Sequence, residues 1–229
     1  MPVPVALHWS GGKDSAHALA RLLESATHEV QCLVTVLDPH RRSTVHGLPE
    51  AVLRRQAEAI GLPLRTVAVT DEGLRDYAEV VSSSAAQLRD EGVRAVAFGD
   101  LSASGAVVHH ERVFGPVGLD VVEPLWGLTS DEAVDHALRL GIRATVVTVD
   151  DEVLGPELLG RTLDRDLLDT LPPRCDPSGE LGEYHTVVVD AAFFRRSVVL
   201  RERGIERIQR EIGTSSGTMT FRYHRLRVE

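Results

Sequence analysis

The sequence predicts an α/β protein, with a mostly parallel sheet in its first half and a second, smaller α/β segment after it. Three observations predict this. Apolar runs of strand length alternate with amphipathic runs of helix length through the first half. A glycine-rich turn follows the first apolar run and leads directly into a helical pattern. Pro124 then marks a break, after which the alternation starts again from a capped helix.

The strands come first as the apolar runs VPVALHW (3–9), VQCLVTVL (30–37), LRTVAV (64–69) and RAVAF (94–98). Such runs, rich in valine and bounded by turn residues, suit strands buried on both faces of a parallel sheet. Between them the spacing predicts helices near 14–25, 49–61 and 73–92, which makes the order βαβα. A helix over 106–116 and a short strand over 119–122 complete the first half. In the second half a helix over 130–140 takes its N-cap from Thr129-Ser130-Asp131, and a strand follows over 144–149. Residues 156–186 are rich in Gly, Pro and Asp and weakly periodic, which predicts a long loop with short helical turns. The tail, 218–228, alternates like a strand.

Composition narrows the function classes. A chain of 229 residues with 43% apolar content can bury a full core. Its net charge of −9, with arginines scattered among acids and no basic block, argues against an extended nucleic-acid footprint. Cys32 and Cys175 form no C-x-x-C pair, so a disulfide scaffold, a zinc ribbon and an iron–sulfur site are all unsignalled. The start MPVPVALHW lacks the basic opening of a signal peptide, and no apolar run has membrane length; the expected location is the cytoplasm, away from any membrane.

The first candidate site is Ser10-Gly11-Gly12-Lys13-Asp14-Ser15, between the first strand and the first helix. Lys13 is the only lysine among 25 basic residues. A lysine ends in a compact charge on a flexible stem, which fits among phosphate oxygens in a tight loop where an arginine fork does not. Glycines at 11 and 12 let the backbone turn and approach an anion, and helix N-terminal amides with the Ser10 or Ser15 hydroxyl can donate to it. Ser10 and Ser15 can equally serve as helix caps, and Asp14 as a favourable first-turn charge. The spacing matches neither G-x-x-x-x-G-K-[ST] nor G-x-G-x-x-G, so a γ-phosphate-cleaving P-loop and a dinucleotide fingerprint are disfavoured.

The string SGGKDS resembles the pyrophosphate loop of the N-type ATP pyrophosphatases, which split ATP between its α and β phosphates. That resemblance implies that the loop grips the departing pyrophosphate, that Lys13 neutralises developing charge, and that Asp14 helps place Mg²⁺.

The second candidate site is RCDPSGELGEYHTVVVD, 174–190, where Glu180, Glu183 and His185 sit among glycines at the entry to a strand. Such a cluster can bind metal, hold an amine or do acid–base work, or it can be a solvated turn before a strand. Asp176-Pro177, Gly179-Glu180 and Gly182-Glu183-Tyr184-His185-Thr186 match, in order, the D-P-x-G-E-x-G-E-[FY]-H-T signature of the diphthine–ammonia ligase family, which this chain resembles over nearly its whole length. Further matches are His46-Gly47, Gln56-Ala57, Gly99-Asp100-Leu101, Glu123-Pro124-Leu125-Trp126, Leu159-Gly160-Arg161, and Asp190 ahead of Phe193-Phe194. The stretch HHERVF, 109–114, departs from the family, which leaves His109, His110, Glu111 and Arg112 without an assigned role.

The resemblance implies a Rossmann-like, adenine nucleotide alpha hydrolase-like domain over 1–124 that binds ATP, and an acceptor-substrate domain over 125–229. It implies an ATP-dependent, AMP-forming amide ligase that adenylates an acceptor carboxylate, releases pyrophosphate and transfers ammonia. Free ammonium is the expected nitrogen source, and the acceptor is carried by elongation factor 2 where the host makes diphthamide. Lys13, Asp14, Glu180, Glu183 and His185 are the expected catalytic residues. The nucleotide-binding set is Ser10, Gly11, Gly12, Lys13, Asp14, Ser15, His46, Gly99 and Asp100. His46 can also be an ordinary loop histidine, Asp100 a strand-end turn, and Arg161 either an anion-binding fork or a partner of Asp164. Trp126 is expected to pack the junction of the two segments. Two rivals stand beside this reading: a tRNA sulfur or lysidine enzyme with the same loop, and an ATP-binding regulatory module without chemistry.

Overall fold

A computed structural model describes residues 1–44, 46–70, 77–101, 106–214 and 217–229. In the first half, β1 (Val3–His8), β2 (His28–Leu37), β3 (Leu64–Ala68), β4 (Ala95–Ala97) and β5 (Asp120–Val122) form one parallel sheet in the order β3-β2-β1-β4-β5. The expected α/β fold with a Rossmann-like parallel sheet is therefore present. The chain order reverses at β1, so the crevice beyond the carboxyl ends of β1 and β4 is the place where such sheets bind ligands.

Alternation along β1 explains why both faces of the sheet are covered. Val5 and Leu7 point into a core that contains Leu19 and Leu22 of α1 (Lys13–Glu24) and Val52 and Leu53 of α2 (Glu50–Ile60). Ala6, between them, faces the opposite core, with Val81, Ala85 and Leu88 of α3 (Tyr77–Asp90) and Phe114 of α4 (Ala106–Phe114). The first residues of the helix expected over 73–92 lie outside the described residues.

The second sheet is antiparallel, in the order β7-β6-β9-β8, from β6 (Arg143–Asp150), β7 (Tyr184–Asp190), β8 (Glu202–Thr214) and β9 (Gly217–Val228). Before it comes α5 (Ser130–Arg139), whose capping box pairs Thr129 with Glu132 as the sequence predicts. The short α6 (Arg165–Leu168) is capped by Asp164, which accepts from the Leu167 N–H at 2.8 Å. Val146, Val149, Val187, Val188 and Leu226 belong to the same buried core as Leu19 and Leu53, so α1 and α2 serve both sheets.

Three details differ from the sequence reading. The strand β8 is invisible to periodicity, because Ile205, Ile208 and Ile212 fall at helical spacing among charged residues, and it becomes a strand by pairing with β9 from Glu202↔Val228 to Thr214↔Gly217. Trp126 is 49% exposed, and its neighbour Leu125 fills the junction instead. Arg161 does not take Asp164; its Nη1 approaches Thr170 Oγ1 at 3.4 Å while Asp164 caps α6. Among the described residues no helix is long and apolar enough to cross a membrane.

Candidate active site

The glycine loop leaves β1 at the centre of the sheet and turns through Gly11, whose φ of +84° is a left-handed conformation that favours glycine. A Cβ there would also press into Leu48, Leu53 and Gln56 at 2.7, 2.8 and 2.9 Å. A Cβ on Gly12 would collide with the His46 ring and lie 3.1 Å from the Thr186 carbonyl. Gly12 caps α1 without any side-chain hydrogen bond, so the positive end of the helix is not covered by a cap of its own. Ser10 and Ser15 hold the turn: Ser10 Oγ donates to Ser15 Oγ at 3.1 Å, and Ser15 Oγ donates to the Gly12 carbonyl at 3.0 Å.

The loop rests on the second sheet. The Val188 N–H of β7 donates to the Gly11 carbonyl at 2.9 Å, and the Lys13 N–H donates to Thr186 Oγ1 at 3.0 Å. Gln56 of α2 ties three pieces together. Its Nε2 donates to the Gly11 and Val188 carbonyls at 2.9 and 2.8 Å, and its Oε1 accepts from Trp9 Nε1 at 2.9 Å. His46 Nδ1 donates to the Thr186 carbonyl at 2.9 Å, which sets its tautomer, and its ring lies 4.8 Å from that of His185. Burial lowers the pKa of His46, and burial followed by the charge of His46 pushes His185 well below the usual histidine value. Both imidazoles are therefore neutral at neutral pH.

Lys13 is only 4% exposed. Its Nζ donates to both Asp14 oxygens, at 2.9 and 2.8 Å, and lies 5.5 Å from the centre of the Tyr184 ring. A buried ammonium with one adjacent carboxylate keeps donor capacity for an incoming anion. Gly99, just beyond β4, lies against the start of α1, where a Cβ would sit 2.8 Å from the Asp14 carbonyl. Beside it, burial and then the nearby Glu123 raise the pKa of Asp100.

The signature segment folds back over this loop, and its acids have unlike fates. Asp176 Oδ1 accepts from the N–H groups of Ser178 and Glu180 at 2.8 and 3.2 Å, and Oδ2 accepts from Ser130 Oγ at 2.6 Å. Glu183 is buried, and its two oxygens accept from the N–H groups of Asp176 and Leu181 at 2.8 and 3.1 Å. Glu180 is different. Burial, followed by the charge of Asp14, raises its pKa to about 7, and Lys13 opposes the shift. Glu180 thus stands within electrostatic reach of both charged residues of the glycine loop. Tyr184 donates through its hydroxyl to the Pro177 carbonyl at 2.6 Å.

The structure brings together Ser10, Gly11, Gly12, Lys13, Asp14, Ser15, His46 and His185 around the loop, with Gly99, Asp100 and Glu180 at its edge. Glu183 is set apart, engaged with the backbone of its own turn. Sequence reasoning gave no role to Gln56, although a glutamine inside an apolar helix face, at a position totally buried, is a signal that backbone groups nearby need partners.

Residues 3–121 match the family model described as the diphthamide synthase N-terminal domain, and residues 131–217 match the diphthamide synthase C-terminal domain. A diphthine–ammonia ligase from Schizosaccharomyces pombe is 24% identical over 217 residues, covering 86% of this chain. The chain spans 36% of the length of that yeast protein. Among solved structures, the U34-tRNA thiolase NcsA from Methanococcus maripaludis, determined with its 4Fe–4S cluster, is 17% identical. It aligns with a TM-score of 0.39 over 61% of this chain and 56% of the thiolase chain.

Proposed function

The chain belongs to the diphthamide synthase family, and on that premise we propose that it is an ATP-dependent, AMP-forming amide ligase. In this reading an acceptor carboxylate is activated by adenylation, pyrophosphate leaves, and ammonia displaces AMP to form an amide. The acceptor is of the kind named by the yeast relative, diphthine, carried on elongation factor 2 where the host makes it. The observation that carries the proposal is the buried Lys13, paired with Asp14 in a glycine loop at the carboxyl end of β1.

The residues fit ATP. Gly11 and Gly12 let the loop pack against Leu48, Leu53, Gln56 and His46, where a Cβ would clash, and α1 begins there without a side-chain cap. Together with the Lys13 ammonium this is a donor set for the pyrophosphate end of the nucleotide. Asp14 offers a carboxylate beside it, and one carboxylate plus phosphate oxygens is the ligand set Mg²⁺ prefers.

Among the acids of the signature, Glu180 suits the proton transfer that must accompany attack by ammonia. A base works best with a pKa near the operating pH, and that of Glu180 is about 7. Glu183 holds the turn, and the depressed pKa of His185 makes it a weak base. The sulfur-transfer rival needs an accessible thiolate. Cys32 is buried with a raised pKa, and the Cys175 thiol is pushed up to about 12 by burial and the adjacent Glu183.

Isotope transfer tests the proposal. With ATP, Mg²⁺, ¹⁵N-ammonium and diphthine-bearing elongation factor 2, mass spectrometry is expected to find one ¹⁵N in the acceptor as an amide. Label appearing in no acceptor while a tRNA substrate is modified would favour the rival.

A further inference from the structure

At the β4–β5 edge of the parallel sheet, three side chains from separate elements converge: Asp100 after β4, His110 of α4 and Glu123 after β5. One ligand atom from each lies within 4.8 Å of the others. His110 Nδ1 is 2.9 Å from Glu123 Oε1 and 3.7 Å from Asp100 Oδ2. The His110 ring is stacked on Phe98 with centroids 3.6 Å apart, which holds its plane toward the two carboxylates.

A separate observation points to a ligand. The Glu123 side chain is only 7% exposed, yet its Oε2 has no hydrogen-bond partner among the described residues. A buried carboxylate oxygen without a partner is costly, and a cation would satisfy it. Asp100, by contrast, is 37% exposed and leaves the cluster open to solvent on one side.

We infer that Asp100, His110 and Glu123 form a site for a divalent transition-metal ion. Ligand bonds of about 2.0–2.2 Å place neighbouring ligand atoms roughly 3 Å apart, and the two observed separations from Nδ1 bracket that value. One imidazole nitrogen with two carboxylate oxygens favours the series from Mn²⁺ to Zn²⁺ over Mg²⁺ or Ca²⁺, which take oxygen ligands. On binding, Nδ1 turns its lone pair to the ion, and the neutral ring carries its proton on Nε2. Asp14 is not one of its three ligands. His110 falls in HHERVF, the stretch that departs from the family pattern, while Asp100 and Glu123 fall in strings that match it, so the imidazole is the ligand particular to this chain.

The test uses the full chain, treated with chelator and free of nucleotide, so its outcome is independent of the ligase reading. Mn²⁺ is added, and the loss of the free-ion paramagnetic resonance signal is followed. The expected result is about one tight site per chain, weakened on the order of tenfold or more by His110→Ala or Glu123→Gln and retained in Asp14→Asn. Should those variants not fold, pulsed paramagnetic resonance on the unaltered protein is expected to show coupling from one imidazole nitrogen. No Mn²⁺ bound at millimolar concentration, no nitrogen coupling, or binding lost in Asp14→Asn and kept in His110→Ala would overturn the inference.

Discussion

The glycine loop at 10–15 and the signature loop at 174–183 are both turns that run into a regular element, yet they are held in different ways. Distant partners hold the first: Thr186, 173 positions away, takes the Lys13 N–H, and Gln56, 45 positions away, takes the Gly11 carbonyl. The second is held mainly from within, since Asp176 and Glu183 accept from amides two to seven positions away, with Ser130 adding a distant donor to Asp176. The bracing of the signature loop uses two of its three acids and leaves Glu180, which feels the charges of Asp14 and Lys13. A turn braced from outside gives the Lys13 N–H to Thr186 and leaves the Lys13 ammonium for a ligand. A turn braced from inside presents only what its bracing leaves over.

The largest effect is expected where the loop meets its anion. Lys13→Ala removes a preorganised charge and should cost about 3–4 kcal/mol of transition-state stabilisation, a hundredfold or more in pyrophosphate release, with the fold intact by circular dichroism. Lys13→Arg should also be poor, because a planar fork does not replace a compact ammonium at so buried a position. An arginine variant with full activity would break the comparison, since the loop would then tolerate a different donor geometry.

Removing the outside brace comes next. Gln56→Leu leaves the Trp9 Nε1 donor and the Val188 carbonyl without the partner they now have, and should cost about 2–3 kcal/mol in denaturant unfolding. ATP affinity should fall with it. Unchanged affinity would mean that the loop keeps its shape without its bed.

Glu183 and Glu180 sharpen the contrast from inside the second loop. Glu183→Gln turns one acceptor into a donor that faces a backbone N–H, so about 1–2 kcal/mol of stability should be lost. Glu180→Gln should spare stability at low pH and change its pH dependence. The folded pKa is raised from 4.5 to about 7, so the native state keeps a proton that the unfolded chain releases. Stability should therefore fall as pH rises through that window and level off above it, and the variant should lack this fall. In turnover, the variant should lose the rise near pH 7 and keep the slope that comes from ammonium deprotonation. A variant with both profiles unchanged would remove Glu180 from the chemistry.

What the sequence makes legible follows the same division. The glycine turn, the lone lysine and the capping box of α5 are local, and each can be read from adjacent residues. The bed under the loop cannot, because nothing near Lys13 names Thr186 and nothing near Trp9 names Gln56. Within GELGE the two glutamates look alike, and only the folded turn decides which one receives backbone amides. Isoleucines at helical spacing likewise conceal β8, which becomes a strand by pairing with β9.

The central claim is that this loop releases pyrophosphate from ATP when an acceptor carboxylate is present, and nucleotide analysis tests it most directly. The protein is incubated with Mg²⁺, ammonium, diphthine-bearing elongation factor 2 and ATP labelled on both the α and γ phosphates, and the products are separated. AMP and pyrophosphate are expected in equal amounts, formed only with acceptor and lost in Lys13→Ala. ADP and inorganic phosphate, or AMP formation that survives Lys13→Ala, would contradict it.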